Sequence, residues 1–492
     1  MRRSVMVAAV GLAAALWGLG PKAADLDEIL RPLPDKGQSV LDFDASYAKD
    51  WEHWHSAFLW QNNPGQLTWF LSDAYLSQRR FTPSAAYSAG ITPKLALWAT
   101  GDFAQQTMPY TNIDQDRVWN GSAGVTFRPS SRLQMGGFLT KYSHSQWSGS
   151  DDYWGFYFYD TDYQILGVSL DWLDRAKPGY ENLVPDLNGL LRPLMDPGQD
   201  WISARLQMRR DWASWRQGYN GFNRSDSDDQ WTLSAVWTRG LSSSWEVFLS
   251  GLYTPGYDVN SRNRVATWPW GSTETNWGVR RLADSWRAGA GVRYRWSPTG
   301  EATLSATRDS HADDVMIKPP NPVFPPYHQS WYTWSARLGW TILSRPTAAG
   351  EPLGRNLNGF KGPLLNRGQW LWDGSLSLDR GRFAYRSYTE PPVVSERALN
   401  PVWVLQSGVA YGLTAATQLR ADLRINPRFD HPPIADEWHH GAVGASLVYQ
   451  ANPNVRARAS YSYGLDESGG GTYLSWVREE HQVFSAGFTI SW

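Results

Sequence analysis

The run Phe484-Ser485-Ala486-Gly487-Phe488-Thr489-Ile490-Ser491-Trp492 carries an apolar or small residue at every second position and closes on an aromatic. In an extended chain Phe484, Ala486, Phe488, Ile490 and Trp492 lie on one face, and Ser485, Gly487, Thr489 and Ser491 lie on the other. Two readings of such a strand are open at this point. It is the last strand of a soluble sandwich, or it turns one face to lipid and the other to water.

The rest of the chain bears on the choice. Trp286, Ala288, Ala290, Val292, Tyr294 and Trp296 alternate with Arg287, Gly289, Gly291, Arg293 and Arg295, and Tyr332 to Ile342 repeats the pattern around Arg337. Strict period-two alternation is a strand signal, not a helix signal. Trp286 to Trp296 is ten steps of about 3.3 Å, and a tilt of about 40° projects the resulting ~33 Å onto roughly 25 Å, the height of the apolar band of a membrane barrel. Soluble strands typically stop after about five or six residues. The final run resembles the closing strand of bacterial outer-membrane β-barrels, whose terminal aromatic is read by the insertion machinery. That resemblance covers nearly the whole chain but names no subfamily, and it implies that Phe488, Ile490 and Trp492 act as an assembly signal.

The N-terminal region points to export. Arg2 and Arg3 precede an apolar stretch from Val5 to Leu19 and small residues at Ala23 and Ala24, the layout of a secretory signal peptide. An uncleaved anchor is the alternative, but the stretch is short for a spanning helix and nothing like a stop-transfer segment follows. The expected organisation is a signal peptide over 1–23, a short periplasmic leader over 24–37 and a barrel over 38–492.

Composition narrows the chemistry. With no cysteine, disulfide scaffolds, thiolate metal sites and covalently attached haem are excluded. A formal charge of −1 lacks the basic excess expected of a nucleic-acid partner. The 30 Trp and 23 Tyr suit the membrane–water interface, where an apolar ring sits beside a polar tip, and the 44 Gly suit tight turns and a close-packed lumen wall.

The connections alternate as well. Short turns fall at 92–94, 128–132, 240–243, 297–300, 412–416 and 451–454. Longer polar loops fall near 106–116, 143–157, 216–229, 256–284, 309–329, 389–401, 427–438 and 465–480. Short periplasmic turns with long outer loops are the outer-membrane pattern. Two insertions, 174–199 and 344–366, fall on the short-turn side and offer a surface to a periplasmic partner. The expected fold is all-β, a transmembrane antiparallel up-and-down barrel of about eighteen to twenty strands, twenty on the most direct trace. The uncertain stretches are 38–91 and 367–388, the latter readable as one strand with a bulge at Asp379-Arg380-Gly381. No solenoid period is read, only strand-by-strand similarity.

A barrel of this size encloses an aqueous channel unless something fills it. The face predicted to line it carries Arg287, Arg293, Arg295, Arg337, Arg420, Asp422, Arg424, Arg456 and Arg458, with Asp171 and Asp373 among Ser, Thr and Gly. Arginine's planar multi-donor head suits anion recognition and equally suits dense ion-pair networks, so a weakly anion-favouring pore and a merely charge-balanced wall are both open. Trp268, Trp270, Trp277, Trp476, Trp212 and Trp215 read as sugar-stacking residues or as girdle and loop anchors.

Catalytic and metal constellations are poor. Asn223-Arg224-Ser225-Asp226 lacks the nucleophile and base of an outer-membrane phospholipase. His439 and His440 point to opposite faces, His53 and His55 lack a third ligand, and Asp226, Asp228 and Asp229 read as a solvated loop. Neither enzyme activity nor a cofactor is expected. The expected function is a passive outer-membrane channel for small solutes in contact with lipid, lipopolysaccharide and the assembly machinery. The alternatives are an export channel for a secreted polysaccharide or a sheath for a periplasmic partner such as an electron carrier.

Overall fold

The computed structural model describes residues 36–492 except 64–65, 108–114, 149–156, 176–190, 192–193, 218–220, 228, 268–270, 317–326, 347–363, 388–393, 399–400, 432–435 and 470–473. The proposed signal peptide and nearly all of the leader therefore lie outside the described residues. One antiparallel sheet closes on itself into eighteen staves, because the first strand pairs with the last. Closure pairs the two edge strands with each other, which a lipid environment demands.

The first six staves are β1 Ser39–Asn63, β2 Gln66–Thr92, β3 Leu95–Thr107, β4 Gln115–Ser130, β5 Leu133–Ser148 and β6 Tyr157–Leu173. The next six begin with β7 Asp200–Gln217. Three staves then form from broken pairs: β8 Gly221–Ser227 with β9 Gln230–Gly240, β10 Trp245–Thr254 with β11 Tyr257–Thr267, and β12 Gly271–Leu282 with β13 Ser285–Ser297. β14 Gly300–Met316 and β15 Tyr327–Leu343 complete this group. The last six are β16 Trp370–Ser387, β17 Val394–Ala398 with β18 Val402–Thr414, β19 Thr417–His431, β20 Asp436–Asn452, β21 Val455–Gly469 and β22 Leu474–Ser491.

The burial pattern of β6 shows which way the wall faces. Leu166, Val168 and Leu170 are 55%, 55% and 39% exposed, whereas the intervening Ser169 and Asp171 are 8% and 6% exposed. Apolar outside and polar inside is the reverse of a soluble protein. At about 25 cal/mol per Å² an exposed Leu face would be strongly unfavourable in water, but it costs nothing against lipid. Aromatic rings rim this outer face, and Arg308 lays its guanidinium 5.3 Å and 4.8 Å from the rings of Trp286 and Trp334, as a cation held at an interface does. The polar-inside, apolar-outside closed barrel is that of bacterial outer-membrane proteins, and it places this chain in the outer membrane.

Residues 38–91 form the two long strands of one hairpin, and the eighteen staves fall within the expected eighteen to twenty. Two sequence expectations are corrected. Much of the predicted outer loop sequence is strand: 256–284 is mostly the hairpin β11–β12. Above the membrane both faces of a strand meet water, so alternation fades while the ladder continues. Residues 370–387 form a single strand, and the proposed bulge at Asp379-Arg380-Gly381 is absent from its continuous register with β15.

A threefold internal repeat also emerges that strand-by-strand reading missed. Pro32-Leu33-Pro34-Asp35-Lys36-Gly37-Gln38, Pro193-Leu194-Met195-Asp196-Pro197-Gly198-Gln199 and Pro363-Leu364-Leu365-Asn366-Arg367-Gly368-Gln369 immediately precede β1, β7 and β16, the strands that open each group of six. Gly37, Gly198 and Gly368 have φ of +79°, +74° and +74°, a conformation that favours glycine. Their N–H groups donate to the carbonyls of Gly90, Gly240 and Gly412, each at 2.8 Å. Those three glycines in turn donate back to the carbonyls of Gln38, Gln199 and Gln369. The side-chain amides of Gln199 and Gln369 close each turn, accepting from Asp196 and Asn366 and donating to the carbonyls of Arg175 and Arg345. The copies are joined by loops of unequal length, which hides the period from inspection.

Candidate functional site: the lumen and its periplasmic floor

Inside the barrel lies a cavity of about 900 Å³, lined mainly by Ser, Thr, Gly and charged side chains. Arg287, Arg293, Arg337, Asp422 and Arg424 line it, together with Arg205, Glu301 and Asp373. The other arginines expected to line the channel face inward but are held in the wall. Arg295 donates to Glu301 at 2.5 Å, and Arg458 bridges Asp42 at 3.2 Å and Asp44 at 2.6 Å. Arg420 gives two parallel bonds to Asp373 at 2.6 and 3.0 Å and a third to Asp422 at 2.7 Å. Arg456 donates to Gln450 at 3.3 Å, one of three equivalent contacts across the second turn of each repeat, the others being Arg128 to Gln134 and Arg295 to Glu301.

Even the cavity-lining arginines differ among themselves. Arg293 is only 3% exposed, and Arg287 pairs with Asp309. Arg337 and Arg424 are exposed to the cavity and make no salt bridge among the described residues. Asp171 is buried near the rim. Phe488, Ile490 and Trp492 lie on the outer face: Phe488 stacks on Phe43 with centroids 5.5 Å apart, and the backbone of Trp492 pairs with that of Ser39 across the closing seam.

Sequence reasoning missed an aromatic patch on the inner wall of the first repeat. Trp98, Phe138 and Tyr163 are buried there with Ile165, and Tyr142 stacks on Tyr163 at 4.5 Å. Arg205 and Arg209 cap Phe138 and Tyr163 at 4.4 and 4.2 Å. Trp98 and Phe138 each lie over the glycine opposite them on the next strand, Gly124 and Gly167. Such cross-strand aromatic–glycine pairs are visible only once register is known. Of the tryptophans considered for sugar stacking, Trp268 and Trp270 lie outside the described residues, as do the side chains of Trp215, Trp277 and Trp476; Asp228 and the side chain of Asp226 lie outside them too. Asp229 pairs with Arg210.

The two insertions join staves at the short-turn end, and their described residues turn into the barrel. Met195 N donates to Glu246 at 2.9 Å, and Leu365 N donates to Gln418 at 3.0 Å. Glu246 and Gln418 are 0% and 1% exposed. In the first repeat the equivalent acceptor position is Ala96, and the residue equivalent to Met195 and Leu365 is Pro34, which has no N–H to satisfy. Leu191 reaches much farther round the wall. Its N–H donates to Glu301 at 2.8 Å, and it packs with Leu343, Leu365, Leu371 and Ala410, so the first insertion meets the second. Leu191 holds φ at +53°, a left-handed conformation costing about 1–2 kcal/mol for a residue with a Cβ. The Glu301 bond and the leucine cluster offset that strain.

Neither a protein-family model nor a curated protein sequence matches the chain. Solved structures share its barrel only distantly. The alcaligin outer-membrane receptor FauA from Bordetella pertussis aligns over 93% of this chain and 76% of its own at 10% identity, with a TM-score of 0.41. The ferric-catecholate import receptor Fiu from E. coli K12 aligns over 94% and 82% at 8% identity and 0.43. A Pseudomonas aeruginosa FadL homologue aligns over 92% and 90% at 12% identity and 0.32. At these values the assignment rests on the strand pairing and the inverted burial of this chain itself.

Proposed function

We propose that the protein is an outer-membrane channel for small polar solutes, with a modest preference for anions and a constriction formed by the two periplasmic insertions. The supporting observation is the pair Arg337 and Arg424, exposed to the cavity without acidic partners among the described residues, while the neighbouring arginines are tied to carboxylates. In a half-enclosed, low-dielectric lumen such unneutralised cations raise the local concentration of anions. The purified protein should conduct in a planar bilayer, and Arg337→Glu with Arg424→Glu should move its reversal potential toward cation selectivity. Unchanged selectivity in a conducting pore would count against this reading. Arg293 and Arg295 are poorer tests, since one is buried and the other is held by Glu301.

A second reading is favoured by the anchored insertions: an export channel, or a sheath for a periplasmic partner, that opens only when the floor moves. A barrel that is silent until the insertions are released would support it. In either reading Phe488, Ile490 and Trp492 serve as the signal for membrane insertion.

A further inference from the structure

Across the seam where the barrel closes, four consecutive strands turn ligating side chains toward one patch of inner wall: His440 from β20, Asp466 from β21, Glu479 and His481 from β22, and Asp50 from β1. Register brings them together, since His440 stands opposite Asp466, Asp466 opposite Glu479, and His481 opposite Asp50. The His481 Nε2 lies 3.2 Å from Asp466 Oδ2 and 3.5 Å from Glu479 Oε2, and its Nδ1 lies 3.0 Å from Asp50 Oδ1. His440 Nδ1 contacts the other oxygen of Asp466. One donor atom each from Asp466, Glu479 and His481 falls within 4.8 Å of the others, close enough for one ion.

The balance of charge sets this patch apart from the arginine–carboxylate pairs of the lumen wall. Elsewhere several inward carboxylates have arginine partners: Asp42 and Asp44 with Arg458, Asp373 with Arg420, Glu301 with Arg295. Here three carboxylates meet two imidazoles, and among the described residues no lysine or arginine bridges to any of the three. Their side chains are only 18–27% exposed, so water neutralises them incompletely. A divalent cation would supply balancing charge here.

We infer that His440, Asp466, Glu479 and His481 form a binding site for a divalent transition-metal ion, with Asp50 orienting His481 from behind. Mixed imidazole and carboxylate donors match Zn2+ best. Asp50 accepting from Nδ1–H would fix the tautomer that leaves Nε2 free to ligate, the carboxylate–histidine–metal arrangement. A bound ion would tie β1 to β20–β22 and so staple the seam. The site is independent of what passes through the barrel.

The test uses the full folded protein, stripped with chelator and titrated with ZnCl2 by calorimetry. Binding of one equivalent is expected, together with a rise in the temperature at which the unboiled, folded gel band disappears. His440→Gln and His481→Gln should each weaken binding at least 10-fold, and Asp50→Asn should weaken it about 10-fold through orientation alone. His311→Gln, which removes an imidazole tilted against Trp331 far from the seam, should leave Zn2+ binding unchanged. The folded gel band reports whether each variant has assembled. Assembled protein that binds no Zn2+, or binds it equally well without His440 and His481, would overturn the inference and identify the patch as an ion-pair network of protonated histidines.

Discussion

Arg420 shows how a single inward arginine is spent on structure. Its side chain is 13% exposed and satisfies Asp373 through a fork of two bonds while reaching Asp422 with a third. Arg420→Ala would leave the half-buried Asp373 without its partner, a loss of about 1–3 kcal/mol. The midpoint of urea unfolding, followed by tryptophan fluorescence, should fall accordingly. By contrast Arg382 and Glu396, 59% and 53% exposed, form a surface pair worth ~1 kcal/mol or less, so Arg382→Ala should barely move the midpoint. A stability loss of the same size in both variants would show that the inner wall is as well solvated as the surface. The inward direction of Arg420 was legible from period-two alternation. Its partners were not, because sequence does not show which strand lies alongside. Arg458 is the extreme case, since its acids Asp42 and Asp44 come from the opposite end of the chain. The seam cluster was missed for the same reason: His440 was weighed against His439 beside it, whereas its neighbour is Asp466 one strand away.

At the scale of elements, the broken staves of the second repeat carry the clearest local device. β10 ends and β11 begins around Pro255-Gly256, and β12 ends and β13 begins around Ala283-Asp284. Proline cannot donate to a ladder, so it concentrates at such interruptions. Asp284 pins the two breaks together by accepting from the Tyr253 hydroxyl at 2.8 Å and from Gly256 N at 2.7 Å. Above that line the β11–β12 hairpin continues as a separate outer segment. Asp284→Ala removes both bonds at an exposed site, so global stability should change by only about 1 kcal/mol. Limited proteolysis within 257–282 should nonetheless accelerate, while the shift between boiled and unboiled gel bands is retained. Unchanged cleavage would show that the hairpin is held by its ladders with β8 and β14 alone. The strands within the membrane were legible because lipid on one face and water on the other force alternation. Their outer extensions were not, since both faces there meet water.

For the whole molecule, eighteen staves divide into three groups of six, each opened by the same glycine–glutamine turn. In the second and third groups the turn follows an insertion tied to the inner wall, and Glu246 and Gln418 are the ties. Gly240 and Gly412 permit the close approach, because a Cβ on either would collide with the carbonyl oxygens of Met195 and Asp196 or of Leu365 and Asn366. The ties can therefore be cut without touching the ladder. Glu246→Ala with Gln418→Ala leaves the N–H groups of Met195 and Leu365 unsatisfied if they stay inside, at a cost of about 1–3 kcal/mol each. That cost falls on the insertions, while the barrel keeps its strand pairing and should still resist denaturation by cold detergent. If the insertions form the constriction, the double variant should conduct more than the parent in a planar bilayer. Adding Leu191→Gly, which relieves the left-handed leucine but removes its packing on Leu343 and Leu371, should increase conductance further. Equal conductance in the parent and both variants would mean that the narrowest point lies elsewhere along the lumen, and the insertions would then act as a docking surface for a periplasmic partner, not as a gate.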